Sequence, residues 1–203
     1  MSTEKILNGV NIQTVENSVQ AIEKDPGIAA FKFRLKNRWI DGGLNRASIN
    51  SFFGARQENS RPEPFVLDAD EPPMLAGRDL AANPVEYLLR ALAGCMTTSM
   101  VYHAALRGIR IEELEADLEG DLDLRGFLGL SQDVRKGYEN IRVTFRVKTD
   151  EKNLDRLKAL SKLSPVLDTV ANGTNIEIRI ERKSAVQSKT KSAAKPRKVR
   201  SAA

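Results

Sequence analysis

Hydrophobic and polar positions along this chain fall into helical and alternating periods that outline most of its elements. Residues Asn11 to Lys24 carry Ile12, Val15, Val19 and Ile22, spaced three and four apart. That spacing predicts a short amphipathic helix ending before Asp25-Pro26, lying on the domain surface as an addition. Phe31-Lys32-Phe33-Arg34-Leu35 alternates as a strand does, Asp41-Gly42-Gly43 turns the chain, and Arg46 to Phe52 can return antiparallel. Arg61 to Arg78 is rich in Pro and acids, predicting a strand at Phe65-Val66-Leu67 that enters a loop.

The central helix has a well-specified start. Asn83 suits the N-cap, Pro84 the first helical position, and Glu86 the place from which a capping-box acid reaches back to the cap's N–H. Arg107 supplies a basic last turn and Gly108 a left-handed stop. About 24 residues at 1.5 Å each make a rod of ~36 Å. Apolar or small residues surround much of it, so both flanks should be covered, by a sheet on one side and a second subunit on the other.

Beyond it, Leu114, Ala116, Leu118, Leu122 and Leu124 alternate with Glu115, Asp117, Glu119, Asp121 and Asp123. Ile141, Val143, Phe145 and Val147 form a matching strand whose other face carries Arg142, Arg146 and Lys148, so opposite charges should pair across the outer face. Arg125 to Gly137 is a long hairpin excursion. A helix is expected from about Glu151 to Leu163, a restart at Ser164-Pro165, and a last strand through Ile176, Ile178 and Ile180. Strands, a long helix, more strands, a helix and a strand make an α+β domain.

Charge changes this picture only at the end of the chain. The net charge is +5, yet seven basic residues and no acid lie between Lys183 and Ala203. Without those seven, 25 basic residues face 27 acidic ones, so the body is slightly acidic. The tail from Ser184, rich in Ala, Ser, Lys and Pro, is expected to be disordered and to touch nucleic acid weakly at most. Met1 to Lys5 lack the profile of a secretory signal, and no window reaches the ~18 apolar residues of a membrane span. A cytoplasmic protein is expected, with no membrane partner.

One Cys excludes an internal disulfide framework, and one His beside it argues against a metal site; no cofactor is expected. Cys95 falls in the middle of the long helix, roughly three turns in, too far for the helix N-terminus to activate its thiol. A free Cys is most often a small buried hydrophobe. The preceding Gly94, which costs a helix ~1 kcal/mol against Ala, suggests that something packs closely beside the sulfur. His103 lies eight residues on, ~80° around and ~12 Å along the helix, so it cannot pair with Cys95 in one chain. Glu86 and Ser164 each read first as helix caps.

The run Asn83-Pro84-Val85-Glu86-Tyr87-Leu88-Leu89-Arg90-Ala91-Leu92-Ala93-Gly94-Cys95, followed by Arg107-Gly108-Ile109 and the acidic alternating strand, resembles the OsmC/Ohr family. The likeness extends over roughly Phe31 to Arg182. It implies an OsmC-like α+β fold, antiparallel sheets packed on a long central helix, in an intertwined homodimer with composite sites. It divides the chain into an N-terminal helical extension (1–26), an OsmC-like domain (27–183) and the basic tail (184–203). Members of the family reduce organic hydroperoxides with a helical Cys activated by an Arg and a Glu and resolved by a second Cys. Cys95 matches the peroxidatic position. Ser164 lies at or next to the resolving position. Val85 takes the place of the family's Glu, with Glu86 its neighbour. Arg34, Arg38 and Arg46 are candidates for the activating Arg. The resemblance thus implies hydroperoxide reduction with an external thiol. The alternative is a non-catalytic dimer that binds a small apolar ligand.

Overall fold

A computed structural model describes residues 5–183, in an α+β arrangement. The chain divides at Gly173 into two units. The first opens with two short paired strands, β1 (Ile6–Leu7) and β2 (Val10–Asn11), and helix α1 (Ile12–Lys24). Asn11 caps α1, its side chain accepting from the Thr14 N–H at 3.1 Å. Ile12 and Val10 are buried against Ala105, and Asn8 bridges Ile109 and Ile111 through two 2.9 Å hydrogen bonds. The start of the amphipathic segment is therefore stitched to the far end of the central helix, while most of α1 lies exposed on the surface.

Strands β3 (Lys32–Phe33) and β4 (Lys36–Asp41) are two pieces of one edge, both antiparallel to β5 (Leu44–Gly54). β6 (Gln57–Ala69) takes the other side of β5. The sequence pattern gave β6 only its second half. Its register with β5 is interrupted between Ser51↔Ser60 and Ile49↔Phe65. Pro62 and Pro64 fall in that interval, and proline has no N–H for the ladder. Arg61 bridges the gap: Asn50 Oδ1 accepts from its backbone N–H at 3.0 Å, and its guanidinium donates to the Asn50 carbonyl at 2.7 Å.

Helix α2 (Pro84–Leu106) is the axis of this unit. Leu92, Met96, Met100 and Ala104, four residues apart, are its buried stripe. Met100 and Ala104 join Ile109, Leu157 and Leu160 in the main core, with Ile111, Leu114, Phe145 and Val147 packed against it. Gly108 takes φ +69°, the left-handed stop that its sequence position predicts. The hairpin of β7 (Glu113–Asp121) and β8 (Asn140–Lys148) pairs Glu115 with Arg146 and Glu119 with Arg142 in register. On its outer face Arg142 binds Glu119 at 2.5 Å and Asp121 at 2.6 Å, and Arg146 binds Asp117. Such exposed pairs, screened by solvent, add little to stability. A single turn, α3 (Leu124–Phe127), begins the excursion between the two strands. Helices α4 (Leu154–Ser161) and α5 (Pro165–Asn172) pack on α2.

The second unit begins at Thr174. Its described residues, 174–183, form no strand, and Ile176, Ile178 and Ile180 are exposed. The alternation there says which residues share a face. It does not supply the neighbouring strand that a ladder needs. The expected tail, 184–203, lies outside the described residues. Among the described residues no helix is long and apolar enough to cross a membrane.

Candidate functional site around Cys95

The start of α2 is locked by its own sequence and by the loop before it. Asn83 Oδ1 accepts from the Val85 N–H at 2.9 Å, and Glu86 Oε2 accepts from the Asn83 N–H at 2.8 Å, which together form the expected capping box. Asn83 Nδ2 also donates to Glu71. Tyr87 and Tyr138 donate to the carbonyls of Asp68 (2.7 Å) and Val85 (3.1 Å), tying the first turn to β6 and to the excursion. Burial, then the Glu86 charge, raises the Tyr138 phenol above its ordinary pKa.

Sequence reasoning missed the residue that shapes the preceding loop. Asp70 is buried and accepts from the N–H groups of Glu71 (2.9 Å), Arg78 (3.2 Å) and Leu80 (3.2 Å). Burial pushes its carboxyl up, but these three donors and the Arg78 charge outweigh that and hold it below the usual carboxylate range. An Asp before a Pro/Gly loop was the available signal, and it is a common one.

Cys95 is half-buried and reduced. Leu88 and Tyr102 lie seven residues to either side, so the three share one helix stripe. Leu88 is 38% and Tyr102 48% exposed, so Cys95 lies on a partly exposed apolar stripe next to the core-facing one. Glu86 is nine residues away, which puts it ~13.5 Å along the axis and on the opposite face of α2. One chain therefore does not bring Glu86 to Cys95. Ser164 is 1% exposed and caps α5, its Oγ accepting from the Leu167 N–H at 3.1 Å. It stands at the start of a helix that packs on α2, the element bearing Cys95.

Of the three candidate arginines, two are engaged elsewhere. Arg34 makes a bidentate pair with Glu58 (2.7 and 2.8 Å), and Arg46 one with Asp68 (2.6 and 2.7 Å). Arg38 has no ion-pair partner among the described residues. The cation nearest the thiol in sequence is another one, Arg90. Its Nη1 lies 2.7 Å from where a Cβ on Gly94 would stand. The missing side chain of Gly94 is thus the space in which the Arg90 guanidinium lies. The helical (i, i+4) relation of Arg90 and Gly94 was readable in the sequence.

His103 belongs to the helix end. Arg107 Nη1 donates to the His103 carbonyl at 3.1 Å and lies 3.4 Å from its Nδ1. Burial, then the Arg107 charge, lowers the imidazole pKa, favouring the neutral ring. Among the described residues no group of three or more His, Cys, Asp and Glu is placed to hold a metal. An apolar cleft of about 260 Å³ opens between the first sheet and the start of α2, lined by Leu35, Ala47, Leu67, Ala69, Pro84 and Tyr87 among others.

No curated protein matches this sequence significantly. The chain is similar to an OsmC-like protein from Mycoplasma pneumoniae, at 18% identity and TM-score 0.52, over 69% of this chain and 87% of that one. It is also similar to an organic hydroperoxide resistance protein, OsmC, from Legionella pneumophila, at 16% identity and TM-score 0.51, over 71% and 93%. At these identities the likenesses establish a shared fold. The family model described as OsmC-like protein matches residues 77–179, half of the chain, from the loop before α2 through α5 and beyond. On that match, the chain belongs to the family of OsmC-like proteins.

Proposed function

We propose that this protein is a homodimer that reduces organic hydroperoxides at Cys95, with an external thiol as reductant and residues 27–183 as the working domain. The observation that carries the reading is the position of the single cysteine, half-buried midway along α2 in line with the exposed Leu88 and Tyr102, in a chain of the OsmC-like family. The thiolate attacks the distal oxygen of R–O–OH, forming an S–O bond as the O–O bond breaks. The alkoxide leaves and takes a proton as the alcohol, and Cys95 is left as a sulfenic acid. With Ser164 rather than a thiol at or near the resolving position, that sulfenic acid persists until an external thiol attacks it, releasing water and forming a mixed disulfide. A second external thiol then regenerates Cys95. The need for such a thiol pool fits a reducing compartment such as the cytoplasm.

The dimer supplies what one chain lacks. Leu88 and Tyr102 flank the sulfur uncovered, and a second copy laid along this stripe would enclose it and could bring a carboxylate or Arg38 across. The test is turnover of cumene hydroperoxide with a small dithiol as reductant. Wild-type protein should consume peroxide and dithiol one for one, and Cys95→Ser should reduce the rate to background. Equal rates for the two proteins would refute the proposal.

A second reading draws on the apolar cleft beside Pro84 and Tyr87. In it the dimer binds a small apolar ligand and Cys95 is only a neighbour. Binding of a hydrophobic fluorophore that is lost in Ala47→Trp and unchanged in Cys95→Ser would favour it.

A further inference from the structure

At the opposite end of α2 from its cap, the chain holds a cleft of about 550 Å³ between the helix stop, the end of β8 and the start of α4. Its floor includes the buried Ile109 and Asn153. Its walls carry five cations, Arg107, Arg110, Lys148, Lys152 and Arg156, against two acids, Glu112 and Asp150. Both acids are engaged, Glu112 with Lys148 at 3.2 Å and Asp150 with Lys152 at 3.4 Å. Arg107, Arg110 and Arg156 have no carboxylate within ion-pair distance among the described residues. Several arginines elsewhere are paired, as Arg34 with Glu58, Arg46 with Asp68, Arg142 with Asp121 and Arg146 with Asp117, whereas Arg38, Arg61, Arg90 and Arg135 have no ion pair among the described residues but line no common cleft with one another.

We propose that this cleft binds a small organic phosphate, held by Arg107, Arg110 and Arg156. Three guanidinium groups around one concavity repel one another, and an anion placed among them removes that repulsion. Arginine's planar fork suits phosphate oxygens, which it can grip two at a time. The volume lies within the ~300–1,000 Å³ of small-molecule sites, and a nucleotide-sized molecule fits it better than a lone ion. Arg107 is partly committed, since it also donates to the His103 carbonyl. Arg110 and Arg156 are therefore the residues to vary. The cleft lies about 18 Å along the helix axis from the level of Cys95, and the proposal stands apart from the thiol chemistry.

The test is calorimetric titration of the full chain with inorganic pyrophosphate and with ADP, at fixed ionic strength. Saturable binding of one molecule per chain is expected, tighter for ADP. The double variant Arg110→Ala/Arg156→Ala should weaken it by about tenfold or more, since each charge-assisted hydrogen bond lost is substantial. Both side chains are exposed, so circular dichroism should show an unchanged fold. A full chain with Lys189, Lys191, Lys195, Arg197, Lys198 and Arg200 replaced by Ser should bind as wild type does. Absence of saturation up to about 10 mM, full affinity in the double variant, or loss of binding in the tail-neutral chain would each overturn the proposal. So would tight binding of duplex DNA through the two arginines that pyrophosphate does not displace.

Discussion

At the scale of single residues, the environment of the thiol depends on an absence. Gly94 leaves room for the Arg90 guanidinium, and a Cβ there would meet only the far end of a flexible side chain. Gly94→Ala is therefore expected to stabilise the helix by up to ~1 kcal/mol while displacing the Arg90 guanidinium. Denaturant melts check this, and a destabilised variant would show that Arg90 does not move aside. Ser164 offers a second probe. Ser164→Ala should cost about 1 kcal/mol through the lost α5 cap. Ser164→Cys should form a reducible bond to Cys95 after peroxide treatment if the position is the resolving one. His103, the single imidazole, reports on the other end of α2. Because its folded pKa is depressed, the unfolded chain binds more protons as pH falls through ~6.5, and stability declines there. Proton NMR should place its midpoint below ~6.5, and Arg107→Ala should raise it. Sequence alone placed Cys95 midway along α2 and Glu86 in its cap, because local spacing defines both. It could not choose among the arginines, because Glu58 and Asp68, which occupy Arg34 and Arg46, are distant in sequence.

At the scale of elements, periodicity made α1, α2, β7, β8 and the Ser164 restart legible before any coordinates. The cap of α2, its Gly108 stop and the cross-strand charges of the hairpin appear as the residue pattern predicts. Two misreadings have identifiable reasons. The first half of β6 was hidden by Pro62 and Pro64, which suppress a ladder locally although β5 continues to guide the strand. The Ile176 to Ile180 segment has a strand's alternation without a strand's neighbour. Asp70 links these local rules to the site, since its three N–H bonds fold the loop that delivers Asn83 and Pro84. Asp70→Ala should lower the thermal midpoint and loosen the start of α2, which hydrogen exchange at Val85 to Leu88 would register. The lowered pKa makes its contribution present above ~3.9 and lost as pH falls through the folded value. Leu157→Ala, emptying the centre of the main core, should cost about 2–5 kcal/mol in urea denaturation.

For the whole molecule, the feature to explain is how much apolar surface one chain leaves in water. Phe31, Phe33 and Phe52 stack with centroids 5.7–6.3 Å apart, and Arg61 lies 5.4 Å from the Phe52 ring and 5.1 Å from Phe65. Phe33 is nonetheless 73% exposed and Trp39 70%. Apolar patches of this size are typical of surfaces that bind another protein. Light scattering should accordingly give a mass of twice 22.5 kDa, and a monomer at micromolar concentration would remove the composite site from consideration. The thiol chemistry proposed for that dimer meets its most direct test in one measurement. Reduced full-length protein is exposed to an equivalent of cumene hydroperoxide beside a sulfenate-trapping dione, and intact mass is recorded. We expect a single trapped adduct per chain, mapped to Cys95, with an equal yield of cumyl alcohol. An untouched thiol and undiminished peroxide would contradict the assignment.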